Sequence, residues 1–161
     1  MKTSLALFSA VALFSSASFA KAPDTVTNLD QALSSAAQEN KMTFLLLGRA
    51  TCSICNGTRE LIHEGKINVT AAHYVMADLN IDDPKVDREF MQKFKGQNFG
   101  EMLPFVVVTD STGKLLASSG GYKSADQWNT LLRDAKRKAG PTTKPATEDS
   151  FSVFKNTPAA H

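Results

Sequence analysis

The run at residues 43–48 constrains the fold more than any other feature, because it is almost continuously apolar. Phe44 is followed there by Leu45, Leu46 and Leu47, without the alternation expected of a strand that has one face in water. Continuous runs of this kind are typical of strands covered on both faces, as at the centre of an α/β sheet. We therefore expect an α/β fold with helices on both sides of a central sheet.

The rest of the chain supplies the helices and strands of such a fold. Helix start signals occur at three places: Asn28 with Gln31, Asp83 with Pro84, and Ser124 with Gln127. The pattern of apolar residues adds a helix over 52–64 and strands over 74–79, 105–108 and 114–118. With right-handed crossovers, the early strands form a parallel core and the last two an antiparallel edge. The predicted fold class is α/β, with a central mixed sheet of about four strands flanked by helices.

The N-terminus has the three-part layout of a secretory signal peptide. Lys2 precedes an apolar stretch over 5–14, and the small residues Ser18 and Ala20 stand at a cleavage site before Lys21. The apolar stretch is well short of the roughly 20 residues that span a bilayer as a helix. We therefore predict a signal peptide over 1–20 and export to the periplasm or the exterior, with an uncleaved membrane anchor as the alternative.

Residues 21–140 have the size of one compact domain. Beyond Gly140 the chain is rich in Pro, Thr, Ala and Ser, so residues 141–161 are predicted to be a disordered tail. The chain carries 18 basic and 16 acidic residues, a formal net charge of +2. Such a balance gives no electrostatic reason to expect nucleic acid as a partner. We expect a monomer.

The chain has only two cysteines, and they are three residues apart, in the motif Cys52-Ser53-Ile54-Cys55. A bridge across so short a loop removes little entropy from the unfolded chain, so it is a poor structural staple. Positions i and i+3 in the first turn of a helix face the same side, within the roughly 4.4–6.8 Å between Cα atoms that a disulfide tolerates. This spacing predicts a Cys52–Cys55 disulfide that opens and closes with little backbone movement.

The position of Cys52 at the start of a predicted helix favours an anionic sulfur. Unpaired backbone N–H groups and the helix dipole stabilise a thiolate there, which lowers the thiol pKa. Arg49 adds to this effect if its side chain turns towards the sulfur. We predict that Cys52 is the nucleophile that forms a mixed disulfide with substrate, and that Cys55 is the resolving thiol.

The region 28–138 resembles the thioredoxin-fold family. The matching residues are the Cys-Ser-Ile-Cys motif between a strand and a helix, Leu103-Pro104 before the penultimate strand, and Gly120-Gly121 after the last. The resemblance implies that Pro104 is cis and lies against the disulfide. It also implies that Leu103 offers backbone groups to an extended substrate segment. The alternative is an ordinary trans proline at the start of an edge strand.

Several positions depart from thioredoxin, which has Gly-Pro where this chain has Ser53-Ile54. Thr51 precedes the motif where thioredoxin has tryptophan, Leu46 replaces its buried acid, and Asp78 replaces the lysine that pairs with that acid. Asp78 is a candidate proton acceptor for Cys55, and the alternative is that it ends a strand in solvent. The strongly reducing character of thioredoxin therefore does not carry over.

The leading hypothesis is an exported thiol–disulfide oxidoreductase that acts on protein thiols or disulfides, with a slight preference for reduction. An oxidising compartment requires a membrane electron donor for a reductase, or an acceptor for an oxidase. No cofactor is expected. One alternative is a non-catalytic binding module that uses the Pro104 face.

The other alternative is a copper or zinc carrier that uses the two thiolates. His63 cannot complete a site with both sulfurs, because eight helical residues place it roughly 12 Å from Cys55 along the axis. We therefore predict no metal site. Phe99 and Met102 either border the cysteine pair as an apolar docking patch or simply anchor their loop.

Overall fold

The computed structural model of the protein describes residues 21–140. The predicted signal peptide (1–20) and the predicted tail (141–161) lie outside the described residues. The described residues form nine elements in this order: β1 (Thr25–Val26), α1 (Leu29–Glu39), β2 (Met42–Gly48), α2 (Ser53–His63), β3 (Tyr74–Asn80), α3 (Pro84–Lys93), β4 (Phe105–Thr109), β5 (Leu115–Gly120) and α4 (Ala125–Ala139).

The strands of this region form one mixed sheet in the order β1-β3-β2-β4-β5. Strands β1, β3 and β2 are parallel to one another, whereas β4 is antiparallel to β2 and β5 is antiparallel to β4. The predicted architecture is confirmed, with one strand more than expected. The additional strand is β1, whose two residues pair with Met76 and Ala77 of β3. It was missed because two residues are too few to show a pattern of apolar positions.

Strand β2 is at the centre of the core, as its composition predicts, and all seven of its residues are buried. Phe44 and Leu46 belong to an apolar cluster that includes Trp128 of α4, on one face of the sheet. Leu45 and Leu47 belong to a second cluster that includes Phe90 of α3. Since successive side chains of a strand point to opposite faces, β2 contributes to both halves of the core.

The helix start signals work as predicted. The side chains of Asn28, Asp83 and Ser124 each accept a hydrogen bond from a backbone N–H in the first turn of α1, α3 and α4. Within residues 21–140, no helix combines the length and the apolar character required to cross a membrane. The N-cap of α2 is of a different kind, because it is a cysteine.

Candidate functional site

Cys52 and Cys55 lie at the junction where β2 ends and α2 begins. Cys52 is the N-cap of α2, and Cys55 is in its first turn. A disulfide joins them, with 5.2 Å between their Cα atoms, which lies inside the range predicted from their spacing. Cys55 is fully buried, whereas Cys52 is half-buried. Cys52 is therefore the sulfur that an incoming molecule meets first.

The N-cap position gives the Cys52 sulfur a backbone donor. The Cys55 N–H donates a hydrogen bond to Cys52 Sγ at 3.1 Å. The sulfur thus occupies the place that an oxygen takes in Asn28 at the start of α1. After reduction of the disulfide, this N–H and the helix dipole favour the thiolate form of Cys52 over the thiol.

Gly48, the last residue of β2, makes room for the buried cysteine. A Cβ atom at this position would lie 3.0 Å from Cys55 Sγ and 3.3 Å from Leu46 Cδ2. Both distances are shorter than most Cβ contacts in proteins, so a side chain at this position would require the neighbouring atoms to shift by a few tenths of an ångström.

The loop before β4 brings Pro104 to the same end of the sheet. The Leu103–Pro104 peptide bond is cis, as the resemblance implied. Phe105 pairs with Leu47 in the antiparallel β2–β4 ladder, so the register places Pro104 opposite Gly48. Pro104 is buried, and its carbonyl accepts a hydrogen bond of 3.1 Å from the Gly121 N–H.

The same loop is held in place by Phe99 and by the absence of a side chain at Gly120. The Phe99 ring stacks on Phe105 with 5.3 Å between ring centroids, and it lies 5.7 Å from Phe90. A Cβ atom at Gly120 would lie 1.8 Å from the Phe99 carbonyl oxygen. Phe99 is thus part of the core and anchors its loop, whereas Met102 is 61% exposed.

Several solved structures share this arrangement of elements. A thioredoxin-like protein from Clostridium perfringens superposes with a TM-score of 0.55 at 15% identity, covering 84% of this chain and 99% of that one. A thioredoxin variant from Halobacterium salinarum gives 0.51 at 11% identity, covering 75% and 97%. Trxlp from Edwardsiella tarda gives 0.53 at 14% identity, covering 68% and 98%. The chain has a thioredoxin-like fold.

Sequence comparison, in contrast, finds no relative of the chain. No family model and no curated protein sequence matches the chain. At 11–15% identity, the likeness to the solved thioredoxin-like structures concerns the fold. The function must therefore be argued from the residues that this thioredoxin-like fold brings together.

Asp78 lies within β3 and is paired with an arginine of α2. Its two carboxylate oxygens accept hydrogen bonds from Arg59 of α2, at 2.7 Å from Nε and 2.8 Å from Nη2. Both side chains are about three-quarters buried. Asp78 therefore does not end its strand in open solvent, since it lies within β3 and its carboxylate is largely buried. Each carboxylate oxygen can accept more than one hydrogen bond, so its role as a proton acceptor for Cys55 stays a prediction.

Arg49 forms an ion pair with an aspartate of the neighbouring loop. Its Nε lies 3.5 Å from Oδ1 of Asp82, which follows β3, and both side chains are about half exposed. The link from Arg49 to the motif is through the backbone, since the Cys52 N–H donates to the Arg49 carbonyl at 3.3 Å. The contribution of the Arg49 charge to the Cys52 thiolate stays a prediction.

Two residues that contact the segment between β2 and α2 (residues 49–51) were not predicted from the sequence. Asn56 donates to the Ala50 carbonyl at 2.9 Å, and Arg59 donates to the Arg49 carbonyl at 3.3 Å. Their positions, four and seven residues after Cys52, place them on the same face of α2 as the nucleophile. That spacing is the signal that could have identified them.

The alternative function of a metal carrier depends on the metal-ligating side chains around the two cysteines. Within residues 21–140, no group of three His, Cys, Asp or Glu side chains is placed to hold a metal ion. His63 is the last residue of α2, while the cysteines are at its start. The copper or zinc carrier considered from the sequence uses the two thiolates alone, so it stays an untested alternative.

Proposed function

We propose that this protein is an exported thiol–disulfide oxidoreductase that exchanges disulfides with protein substrates through Cys52 and Cys55. The observation that carries the proposal is the placement of Cys52. Its sulfur is the N-cap acceptor of α2, 3.1 Å from the Cys55 N–H, and the second sulfur is one turn further along in a buried position. The thioredoxin-like fold of the chain supports the same chemistry.

In the proposed reaction, the Cys52 thiolate attacks one sulfur of a substrate disulfide. A Cys52–substrate bond forms, and the other substrate sulfur leaves as a thiolate that takes up a proton. Cys55, after losing its proton, then attacks Cys52 Sγ and releases the second substrate thiol. The substrate gains two electrons and two protons, and the Cys52–Cys55 disulfide is restored.

The loop at Leu103 and Pro104 supports a site for the polypeptide substrate. Leu103 is half-buried beside the cis bond, and Pro104 lies opposite Gly48 in the register of the β2–β4 ladder. Both observations support the proposal that the proline lies against the disulfide. In the proposal, the Leu103 backbone pairs with an extended substrate segment, as in recognition by strand addition.

The proposed direction is reduction of the substrate, and the proposed compartment is the periplasm or the exterior. The direction rests on the resemblance to thioredoxin, and the compartment rests on the signal-peptide pattern of residues 1–20. Because exported compartments are oxidising, each turnover requires electrons from a membrane donor to regenerate the two thiols.

Reduction of insulin by dithiothreitol, followed by turbidity, tests the proposal. The wild-type chain should accelerate precipitation of the insulin chains, and Cys52→Ser should reduce the rate to that of dithiothreitol alone. Cys55→Ser should instead accumulate a mixed disulfide between Cys52 and the substrate, because the resolving thiol is absent. Equal rates for wild type and Cys52→Ser would favour the non-catalytic binding module.

A further inference from the structure

The segment that joins β2 to α2, residues 49–51, is held by two side chains of α2. Asn56 Nδ2 donates to the Ala50 carbonyl at 2.9 Å, and Arg59 Nη1 donates to the Arg49 carbonyl at 3.3 Å. The two side chains are also joined to each other, since Arg59 Nη1 donates to Asn56 Oδ1 at 2.7 Å. We refer to residues 49–51 as the motif loop.

Arg59 connects the motif loop to the central sheet. The other edge of its guanidinium forms two parallel hydrogen bonds with Asp78 of β3, at 2.7 and 2.8 Å. A guanidinium is planar and presents its donors in a fixed geometry, so the position of Asp78 determines where Nη1 can lie. The motif loop is therefore tied to a strand of the sheet and to α2 at the same time.

The carbonyl held by Arg59 also contacts the nucleophile. The Arg49 oxygen accepts a hydrogen bond from the Cys52 N–H at 3.3 Å, so one carbonyl is shared by Cys52 and Arg59. The Asn56 N–H donates to the Cys52 carbonyl at 3.0 Å. Movement of the motif loop would thus move Cys52 relative to the start of α2.

We propose that Asn56 and Arg59 are positioning residues of the redox site, which fix the motif loop so that the Cys52 sulfur stays at the N-cap of α2. This inference rests on the proposed function. The effect is one of geometry, because the charged groups around the motif loop pair with each other. Arg59 is neutralised by Asp78, and Arg49 by Asp82.

The rate at which iodoacetamide alkylates Cys52 in the reduced full chain, measured across roughly pH 5 to 9, tests this inference. Asn56→Ala removes the bond to the Ala50 carbonyl and leaves the Arg59–Asp78 pair intact. We expect the alkylation rate at acidic pH to fall about tenfold, which corresponds to a rise of about one unit in the Cys52 pKa. Arg59→Lys retains the positive charge beside Asp78 but loses the several N–H donors of the guanidinium, so it should change the alkylation profile in the same direction.

Arg137→Lys is the control for the same substitution in another helix, because Arg137 forms an exposed ion pair with Asp134 at 2.6 Å near the end of α4. Its alkylation profile should superimpose on that of the wild type. Wild-type profiles for both Asn56→Ala and Arg59→Lys would overturn the inference while leaving the proposed function intact. A wild-type Cys52 with an ordinary thiol pKa would instead contradict the proposed function itself.

Discussion

Two loops meet at the cysteine end of the sheet, and they are held by different forces. The motif loop (49–51) is exposed and is fixed by hydrogen bonds from Asn56 and Arg59. The loop over 99–104 is fixed by the buried Phe99 ring and by the close approach of its backbone to Gly120. The first loop leads directly into the nucleophile Cys52, and the second carries the cis proline.

This difference indicates that the two loops contribute separately to stability and to reactivity. The apolar contacts of Phe99 are continuous with the core, so changes there should lower the free energy of unfolding. The polar contacts of the motif loop are solvent-exposed, where a hydrogen bond contributes little net stability. Changes in the motif loop should therefore appear mainly in the chemistry of Cys52.

The largest effect on stability is expected for Phe99→Ala. The substitution removes a ring that stacks on Phe105 and lies beside Phe90, so it should lower the free energy of unfolding by about 3 kcal/mol or more. Urea denaturation of the oxidised protein measures it. Tyr122→Ala is the control, because Tyr122 is 71% exposed and its removal should change stability very little. A loss below about 1 kcal/mol for Phe99→Ala would show that the loop is not part of the core.

A smaller loss is expected for Gly120→Ala. The new Cβ would meet the Phe99 carbonyl at 1.8 Å, so backbone must move, at a cost of about 1–3 kcal/mol. Gly57→Ala is the matched control within α2, since nothing lies within 4 Å of a Cβ there. It should raise stability by about 0.5–1 kcal/mol through helix propensity. The midpoint of thermal unfolding should thus fall for Gly120→Ala and rise for Gly57→Ala. A change of the same sign in both variants would contradict the account of this loop.

The smallest effect on stability is expected for Asn56→Ala. The lost bond to the Ala50 carbonyl is exposed, and alanine is the better helix former, so the free energy of unfolding should change by less than about 0.5 kcal/mol. Urea denaturation measures it alongside the alkylation profile. A loss as large as that of Phe99→Ala would remove the distinction between the two loops.

The order of the elements and the geometry of the cysteine pair could be predicted because each depends on short segments of the sequence. The apolar run of β2, the helix caps and the Cys-Ser-Ile-Cys motif are all short segments whose residues determine their own geometry. The two-residue β1 gave no such signal, because its pairing with β3 depends on contacts distant in sequence. The cis state of Pro104 was predicted only through the resemblance, since the sequence alone favours trans.

The environments of the charged residues could not be predicted in the same way. The sequence suggested Arg49 as a neighbour of the sulfur and Asp78 as a partner of Cys55. Their ion pairs with Asp82 and Arg59 depend on how α2 packs on β3 and on which partner lies nearest in three dimensions. Long charged side chains have several partners within reach, so spacing in the sequence does not choose among them.

Mass spectrometry of the reduced full chain after brief alkylation at neutral pH tests the central claim most directly. If the Cys52 sulfur is a stabilised thiolate at the start of α2, the label should be found on Cys52 while the buried Cys55 remains unmodified. Preferential labelling of Cys55, or no labelling of either sulfur before unfolding, would contradict it.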